Sequence, residues 1–371
     1  MKVCIITSGH DVYDSRIYYK EILSLKEIYN EIYMVAPGEE DFITKEGIKV
    51  KCFKKRKSQM DRFRVMNDIY SIAKSINADL YHAHEPDSLQ VAIKLKKALN
   101  CKVIYDSHEY HPEGFAEHFK YGKSLVTKSV YLYEKRLAKQ ADYIITVNDL
   151  LVSKFKRYNN NVVLLPNYPV LDKVEMHKQY DMKPMFVYVG GLTKDRGILE
   201  TLKAINLVNE DYKYVFIGGF SEESFEKQIK DYVDSNLSKK DIVFTGKIPH
   251  TEVFKYLEKA LAGFVLLQPN NWRYVNAEPI KLFEYMMSKT AVIGADYPMI
   301  RNIVDKKQCG VLAKADEPES IAESIIKLGK DVEMAKKMGE RGYFQVEKEY
   351  NWNIIKENLI STYKEIEKSL S

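Results

Sequence analysis

The feature that most constrains the fold is a repeated alternation of short β-prone runs with helix-length amphipathic segments. The runs read VCIIT, EIYMVA, DLYHAH, KVIYDS, YIITVN and VVLLPN in the first half, then MFVYVGG, KYVFIGG, DIVFTG, AGFVLL and TAVIGAD in the second. Strands that alternate with helices form parallel sheets flanked by helices. The sequence therefore predicts an α/β protein with two doubly wound domains that face a central cleft.

The domain boundaries follow from composition. At 371 residues the chain is long enough for two domains. The stretch 167–184 contains two prolines and little periodicity, which is typical of a linker. We therefore expect an N-terminal domain over 1–168 and a C-terminal domain over 169–352. The final segment, 353–371, is expected to form a helix that packs back on the first domain, because four apolar residues recur at helical spacing: Ile354, Leu359, Tyr363 and Ile366.

Composition indicates the cellular compartment of the protein and the kinds of partner it can have. No run approaches the roughly 20 apolar residues of a membrane span, and the four cysteines include no C-x-x-C pair. This pattern favours reduced thiols in the cytoplasm and argues against a disulfide frame or a zinc site. Residues 1–170 hold 27 Lys+Arg against 21 Asp+Glu, so the positive charge is concentrated in the first half.

Two basic segments of the first half mix cations with apolar side chains. They are KKRK at 54–57 with the nearby Arg62, Phe63 and Arg64, and KYGKSLVTKSVYLYEKRLAK at 120–139. Such surfaces can lie on anionic lipid at the inner face of the membrane, and an ordinary solvated face remains an equal alternative. No nucleic-acid-binding motif accompanies the charge, so we expect no nucleic-acid partner.

Residues at two predicted strand ends suggest phosphate binding. Gly190 and Gly191 follow the strand MFVYV, and Arg196 stands before the next helix. A glycine turn lets a phosphate approach the backbone, and the arginine can form a bidentate contact with it. A plain tight turn remains the alternative, because no complete phosphate-loop motif follows.

The apolar segment NAEPIKLFEYMMSKT at 276–290 supplies a second anion site. Pro279 suits the first position of a helix, so we expect free amides at Ile280, Lys281 and Leu282 beside the Lys281 ammonium. Glu284 lies one turn further on and can accept hydrogen bonds from hydroxyls. Phosphate and a neighbouring diol describe a nucleotide. The alternative is a simple Lys281–Glu284 pair within the helix.

These motifs carry a family resemblance. The glycine turn with its arginine, FTGKIPHTEVFKYLEKA at 244–260 and NAEPIKLFEYM at 276–286 resemble the carboxyl domain of family 4 glycosyltransferases. GHDVYDSRIYYKE, YHAHEPDSL and VIYDSHEYHPE resemble the amino domain, and the tail YNWNIIKENLISTYKEI is similar to the closing helix. The resemblance implies a GT-B fold of two Rossmann-like domains and a retaining enzyme that uses a nucleotide-sugar donor.

The donor-site residues of the family are carried over by position. Glu284 matches the glutamate that binds the ribose, whereas Asn276 stands where the family has its first glutamate. Asn276 can still bind sugar hydroxyls, and Glu278 is a potential substitute for the missing carboxylate.

The basic pair of the family is also incomplete. Arg196 matches its second member, Gly191 replaces the first, and we infer that Lys281 restores the lost charge. The backbone at Lys247 and Ile248 resembles the loop that reads the base.

In the amino domain the resemblance points to His108, which matches a histidine near the anomeric carbon of the donor. Gly9 lies where the glycine loop of the family passes close to the diphosphate. The polar residues that adjoin these two positions are candidates for binding or deprotonating the acceptor. They are His10, Asp11, Asp14, Arg16 and Glu109.

The reaction implied is transfer of a hexose-type sugar, with a UDP-sugar preferred, to a glycan or lipid-linked acceptor of bacterial surface-polysaccharide type. We expect no cofactor and no metal, because no Asp-x-Asp stands at a credible strand end. Two alternatives stay open. A nucleotide-sugar epimerase of the same architecture would use the same donor site, and a non-catalytic relative would bind the sugar nucleotide without turnover.

Overall fold

The computed structural model describes residues 1–56, 58, 61–171 and 177–370. Lys57 of the basic run and positions 172–176 of the predicted linker lie outside the described residues. The chain forms two compact units: Met1–Asn167 together with Trp352–Ser371, called the N-terminal unit, and Tyr168–Asn351, called the C-terminal unit. Within the described ranges, no helix is both long enough and apolar enough to cross a bilayer.

The described part of the N-terminal unit contains an eight-stranded sheet with the order β3-β4-β2-β1-β5-β6-β7-β8. All pairs are parallel except β3 with β4. The strands are β1 Val3–Ile6, β2 Ile32–Pro37, β3 Phe42–Ile43, β4 Lys49–Phe53, β5 Leu80–His84, β6 Lys102–Ser107, β7 Tyr143–Thr146 and β8 Val162–Leu164. The central strands β1 and β5 are buried throughout, as their apolar runs predict.

Helices cover both faces of this sheet. A π-helical turn, Ile17–Ile22, continues directly into α1. The helices are α1 Leu23–Lys26, α2 Arg62–Ile76, α3 Glu85–Leu99, α4 His111–Ala116, α5 Lys123–Ala138 and α6 Asp149–Lys156. The strand order reverses between β1 and β5, and ligands of doubly wound sheets bind beyond the carboxyl ends of the strands at such a point.

In the described part of the C-terminal unit, six parallel strands have the order β11-β10-β9-β12-β13-β14. They are β9 Met185–Val189, β10 Lys213–Ile217, β11 Asp241–Gly246, β12 Ala262–Val265, β13 Ala291–Ala295 and β14 Gly310–Ala313. The helices are α7 Ile198–Leu207, α8 Glu223–Asn236, α9 His250–Leu257, α10 Trp272–Val275, α11 Ile280–Met287, α12 Pro298–Val304, α13 Pro318–Lys330 and α14 Val332–Lys348. Here the order reverses between β9 and β12.

Tyr285 fixes α11 on the sheet of the C-terminal unit. Its ring lies against Gly263 of β12, where an added Cβ would come within 2.5 Å of the ring. Its hydroxyl accepts a hydrogen bond of 2.9 Å from the Val189 N–H at the end of β9. These contacts place the amino end of α11 beside the turn that follows β9.

The last helix, α15 Trp352–Lys368, belongs to the N-terminal unit although it follows the C-terminal unit in the chain. Its Trp352 Nε1 donates to Ser24 Oγ at 2.9 Å. Tyr363 is fully buried, and its hydroxyl lies 2.8 Å from Nδ1 of His82 on β5. The helix thus completes the core beneath β1 and β5.

We expect Tyr363→Phe to lower the free energy of unfolding by about 1–3 kcal/mol, because it leaves the buried His82 Nδ1 without its partner. Urea denaturation measures this change. Tyr121→Phe is the control, since Tyr121 is 80% exposed and should alter stability little. Equal stability of the Tyr363→Phe variant and the wild type would contradict the proposed contribution of this bond.

Candidate functional site

Lys281 lies in the first turn of α11 with its side chain buried. Within the described ranges its Nζ has no hydrogen-bond acceptor. The Nζ lies 3.8 Å from the centroid of the Tyr188 ring. Burial lowers the pKa of Lys281 well below its ordinary value; the Arg196 charge adds to the decrease, and Glu284 opposes it. A buried amine without a partner is costly, so Lys281 is a candidate for contact with an anionic ligand.

Arg196 and Lys281 border the same glycine turn. A Cβ added to Gly190 would lie 3.2 Å from Arg196 Nη1 and 3.6 Å from Lys281 Nζ. Gly190 has φ +128°, a conformation that side chains rarely adopt, so glycine is required there. The Tyr188 hydroxyl donates to the Gly191 carbonyl at 2.9 Å and fixes the turn. Two basic side chains and an open backbone turn form a candidate anion site at the β9/β12 reversal.

The amino end of α11 differs from the sequence prediction in two ways. Pro279 is the residue before the helix rather than its first residue, and α11 begins at Ile280. The Leu282 N–H donates to the Pro279 carbonyl at 2.9 Å, and the Leu282 side chain is fully buried. Leu282 therefore cannot offer its amide to a ligand, because the chain turns tightly at the proline. The backbone N–H groups of Ile280 and Lys281 precede the first intrahelical hydrogen bond, so these two residues keep the predicted role of amide donors.

Glu284 does not pair with Lys281. Its Oε1 lies 3.1 Å from His250 Nε2, at the start of α9. The alternative of an internal Lys281–Glu284 pair is therefore wrong. Lys247 and Ile248 precede His250 in the same loop; Lys247 is exposed and Ile248 packs against the core. No local pattern in the sequence indicates the His250–Glu284 contact, because 34 positions separate the two residues.

Asn276 and Glu278 lie between the two helices that follow β12. Asn276 ends α10, and its side-chain N–H donates to the Trp272 carbonyl at 2.9 Å. Glu278 is half-buried one residue before Pro279. Both positions precede the amino end of α11, in the segment that the sequence assigns to the donor sugar.

In the N-terminal unit, a chain of hydrogen bonds connects the ends of β6 and β1. His108 Nδ1 lies 3.0 Å from Asp106 Oδ1, and His108 Nε2 lies 3.2 Å from His10 Nε2. His10 Nδ1 lies 3.1 Å from Asp14 Oδ2. Because carboxylates only accept, both Nδ1 atoms donate, and the contact between the two Nε2 atoms needs one further proton, so one of the two rings is an imidazolium. His10 Nε2 also lies 3.3 Å from Glu85 Oε1, which favours the extra proton on His10.

Electrostatics agree with a charged His10. Burial alone would lower its pKa, but the hydrogen bond to Asp14 and the charges of Glu85, Asp14 and Glu109 raise the pKa of His10 to about 9. The same contact holds the pKa of Asp14 far below its ordinary value, despite partial burial. Gly9 is exposed next to His10, and Glu109 is exposed next to His108. These predicted residues therefore lie around the β1/β5 reversal.

Glu85 is a site residue that the sequence prediction missed. It has φ +62°, which is strained for a side-chain-bearing residue. Its carboxylate accepts from Thr7 Oγ1 at 2.8 Å and from the Ser8 N–H at 3.0 Å, and it lies 3.3 Å from His10 Nε2. Glu85 thus holds the loop after β1. The feature of the sequence that could have marked Glu85 as a site residue is its position directly after β5.

The prediction that Arg16 binds the acceptor is wrong. Its side chain is only 3% exposed and pairs with Glu21 at 2.8 Å and with Asp106 at 2.7 Å. It also donates to the Leu165 carbonyl at 3.0 Å. Arg16 therefore cannot reach an acceptor, since its guanidinium neutralises internal carboxylates. Through Asp106 it supports His108.

A buried polar cluster lies behind His108. Side-chain atoms of Glu21, His82, His84 and Asp106 lie within 4.8 Å of one another and have the chemistry of metal ligands. Burial lowers the pKa of His82 to about 4 and that of His84 well below its ordinary value. Burial and the Asp106 charge raise the pKa of Glu21 well above its ordinary value. The Arg16 guanidinium already supplies the positive charge in this cluster.

Two family models match the chain. The model described as "Glycosyl transferases group 1" matches residues 172–345, and the model described as "Glycosyltransferase Family 4" matches residues 24–168. A Bacillus subtilis relative, named as a candidate teichuronic acid biosynthesis glycosyltransferase, TuaC, is 28% identical over 38% of this chain and 31% of its own length. Curated relatives are matched over less than two thirds of their own length.

Solved structures share the fold. Sucrose-phosphate synthase from Thermosynechococcus elongatus has a TM-score of 0.78 at 16% identity, with 99% of both chains covered. Anabaena Alr3699/HepE, solved with UDP and glucose, has a TM-score of 0.75 at 12% identity and covers 98% of this chain and 100% of its own. These neighbours are GT-B proteins. The predicted fold class, α/β with two doubly wound sheets of the GT-B type, is thereby confirmed.

We expect an NMR titration of the histidine side chains to show His10 with a pKa of about 9 and Asp14→Asn to lower that pKa. The folded pKa lies above the ordinary value of 6.5, so the stability that His10 contributes is fully present below pH 6.5 and is lost as pH rises through about 9. Comparing unfolding free energies of wild type and His10→Gln across this range measures the loss. Parallel curves for the two proteins would contradict the charged state.

Proposed function

Because the chain belongs to the family 4, group 1 glycosyltransferases, we propose that it moves a sugar from a nucleoside-diphosphate sugar to an acceptor hydroxyl with retention of configuration. The predicted family membership is confirmed by the family models that match both halves of the chain. The observation that carries the donor assignment is the buried Lys281 amine beside Arg196 at the Gly190 turn.

The proposed donor site binds the diphosphate between these two cations. Arg196 and Lys281 stabilise the charge that builds on the departing diphosphate, and the amides of Gly191, Ile280 and Lys281 can donate to its oxygens. These groups are fixed before the reaction by the Tyr188 and Tyr285 contacts. Protein cations thus do the work that a metal ion does in other transferases, and we propose a reaction without metal or cofactor.

The positions of the ribose and the base follow from the position proposed for the diphosphate. We assign Glu284 to the ribose hydroxyls and the backbone at Lys247 and Ile248 to the base. His250 Nε2 lies 3.1 Å from Glu284 Oε1, so His250 must move away from that carboxylate or share it when a ribose binds. UDP is the proposed nucleotide, since the Anabaena neighbour was solved with UDP. Asn276 and Glu278 are assigned to the hydroxyls of the transferred sugar.

The acceptor is assigned to the N-terminal unit. His108, oriented by Asp106, lies next to His10, and Gly9, Asp14 and Glu109 complete a polar surface suited to hydroxyl groups. No carboxylate is assigned as a nucleophile. We therefore propose same-face attack, in which the leaving phosphate accepts the acceptor proton and His108 positions the reacting groups.

A lipid-linked or surface-polysaccharide acceptor is proposed from the surface of α5 and the loop before it. Tyr121, Leu125 and Leu132 are 80%, 71% and 53% exposed among many lysines. Apolar side chains flanked by cations suit the interface of an anionic membrane, here its cytoplasmic face. The Bacillus subtilis relative is named for synthesis of a surface polysaccharide, which supports the same class of acceptor.

We expect Lys281→Met to abolish the thermal stabilisation that UDP-glucose or GDP-mannose gives to the wild type, and to raise the stability of the unliganded protein. The first effect follows from loss of the phosphate contact and the second from removal of a buried amine without a partner. Thermal unfolding with and without each nucleotide sugar measures both. Product analysis by NMR, with and without an acceptor, separates transfer from epimerisation.

Lys178→Met is the matched control for this variant. Lys178 is also largely buried, but its Nζ donates to the Leu257 and Ala260 carbonyls and to Thr290 Oγ1 at 2.6–2.8 Å. Its replacement should lower stability and leave nucleotide-sugar binding intact. The donor assignment fails if Lys281→Met retains wild-type binding, or if only Lys178→Met loses it.

We expect vesicles that contain anionic phosphatidylglycerol to bind the protein in flotation assays, with binding that weakens as salt rises. Leu125→Ser should reduce the bound fraction several-fold, because it removes an apolar contact from the proposed face. Phe344→Ser is the control, since Phe344 is 57% exposed in the C-terminal unit. Equal binding to neutral and anionic vesicles would exclude this surface as the membrane contact.

A further inference from the structure

The surroundings of Lys281 set it apart from two other buried basic side chains, Arg16 and Lys178. Arg16 has two carboxylates in contact. Burial lowers the pKa of Lys178 to about 7, but its Nζ has three oxygen acceptors. Lys281 has no acceptor within the described ranges, and a second cation, Arg196, borders the same glycine turn.

The titratable groups that act on Lys281 lie on β9, on the turn that follows it and on α11 itself. Tyr188 of β9 presents its ring, Arg196 of the turn after β9 presents a guanidinium, and Glu284 lies on the same helix. The Glu284 carboxylate is turned to His250 of α9 rather than to the lysine. No described group therefore offers the amine a hydrogen-bonded negative charge.

The balance of magnitudes favours the uncharged amine. The contact of an ammonium with a tyrosine ring stabilises it by less than burial of that ammonium without a partner costs. The charge of Arg196 adds repulsion. The lowered pKa of Lys281 agrees with this balance.

We propose that Lys281 is a neutral amine in the unliganded protein and takes up a proton when the donor diphosphate binds, so that donor binding is coupled to proton uptake. This inference rests on the proposed function. The Nζ lone pair accepts the proton from solvent, the ammonium pairs with a phosphate oxygen, and release of the diphosphate returns the proton.

The proposed coupling predicts how the affinity for the donor changes with pH. The bound state holds the proton more tightly than the free state, so affinity for the donor rises as pH falls between the bound-state and free-state pKa values of Lys281. With one proton coupled, the dissociation constant changes by about tenfold per pH unit within that interval. Lys281 thus sets the pH range in which the enzyme is loaded with its donor.

The first test needs no ligand. NMR of the protein with 13C-labelled lysine side chains gives the Cε shift of Lys281, assigned by its absence in Lys281→Arg. A neutral-amine shift at about pH 8.5, below the ordinary lysine pKa, supports the inference. A Lys281 signal that titrates at the ordinary lysine value would overturn it whatever the protein binds.

The second test uses calorimetry with UDP-glucose or GDP-mannose, whose esterified phosphates do not titrate in this range. Titrations at about pH 8.5 in buffers of different ionisation enthalpy should give uptake of about one proton per ligand in the wild type. Lys281→Arg, which is always charged, should bind with no uptake, and Lys178→Arg should keep the wild-type uptake.

The outcomes separate the two proposals. Binding without proton uptake in the wild type overturns the coupling and leaves the donor assignment intact. A neutral Lys281 by NMR in a protein that binds neither nucleotide sugar refutes the donor assignment, and with it the coupling to donor binding. Uptake that persists in Lys281→Arg assigns the proton to another group and also overturns the inference.

Discussion

The C-terminal unit depends on one unfavourable arrangement, a lysine amine enclosed without a counter-charge. Gly190 borders both Lys281 and Arg196, and its φ of +128° strains any residue other than glycine at this position. The hydrogen bond between the Tyr285 hydroxyl and the Val189 N–H holds α11 beside β9, with Lys281 in the first turn of the helix. Within the described ranges, no carboxylate pairs with the Lys281 amine. In the proposed donor site, the diphosphate supplies this negative charge.

The N-terminal unit also contains a buried cation, but this cation has counter-charges within the protein. Arg16 is buried like Lys281, but its guanidinium lies 2.8 Å from a Glu21 oxygen and 2.7 Å from an Asp106 oxygen, so carboxylates of the protein balance its charge. Asp106 in turn lies 3.0 Å from His108 Nδ1 and orients that ring. The strained Glu85 holds the loop on the other side of His10. Internal carboxylates thus balance the buried cation of the N-terminal unit, whereas the buried Lys281 of the C-terminal unit has no such partner among the described residues.

Most of the architecture was readable from the sequence, because the alternation of strand and helix periods is a local property. The sequence also marked the glycine turn, Arg196 and the helix with Lys281 and Glu284 as candidates, and the structure brings Arg196 and Lys281 to the same turn. Their roles in donor binding stay predictions. Arg16 was misassigned because the burial of its guanidinium depends on Glu21 and on Asp106, which belongs to a strand far away in sequence. The contacts of Glu85 and His250 also join residues that are far apart in the sequence. The tight turn at Pro279, in which the Leu282 N–H is already hydrogen-bonded, depends on backbone angles that residue type alone does not specify.

The position of α15 orders the folding of the chain during synthesis. The C-terminal unit is encoded as a continuous segment, so it can become compact as soon as that segment has left the ribosome. The N-terminal unit is translated first but lacks Trp352 and Tyr363 until translation reaches its last turns of helix. The unit that is translated first is therefore completed last, and the core face that α15 covers stays without this helix until the helix has been synthesised.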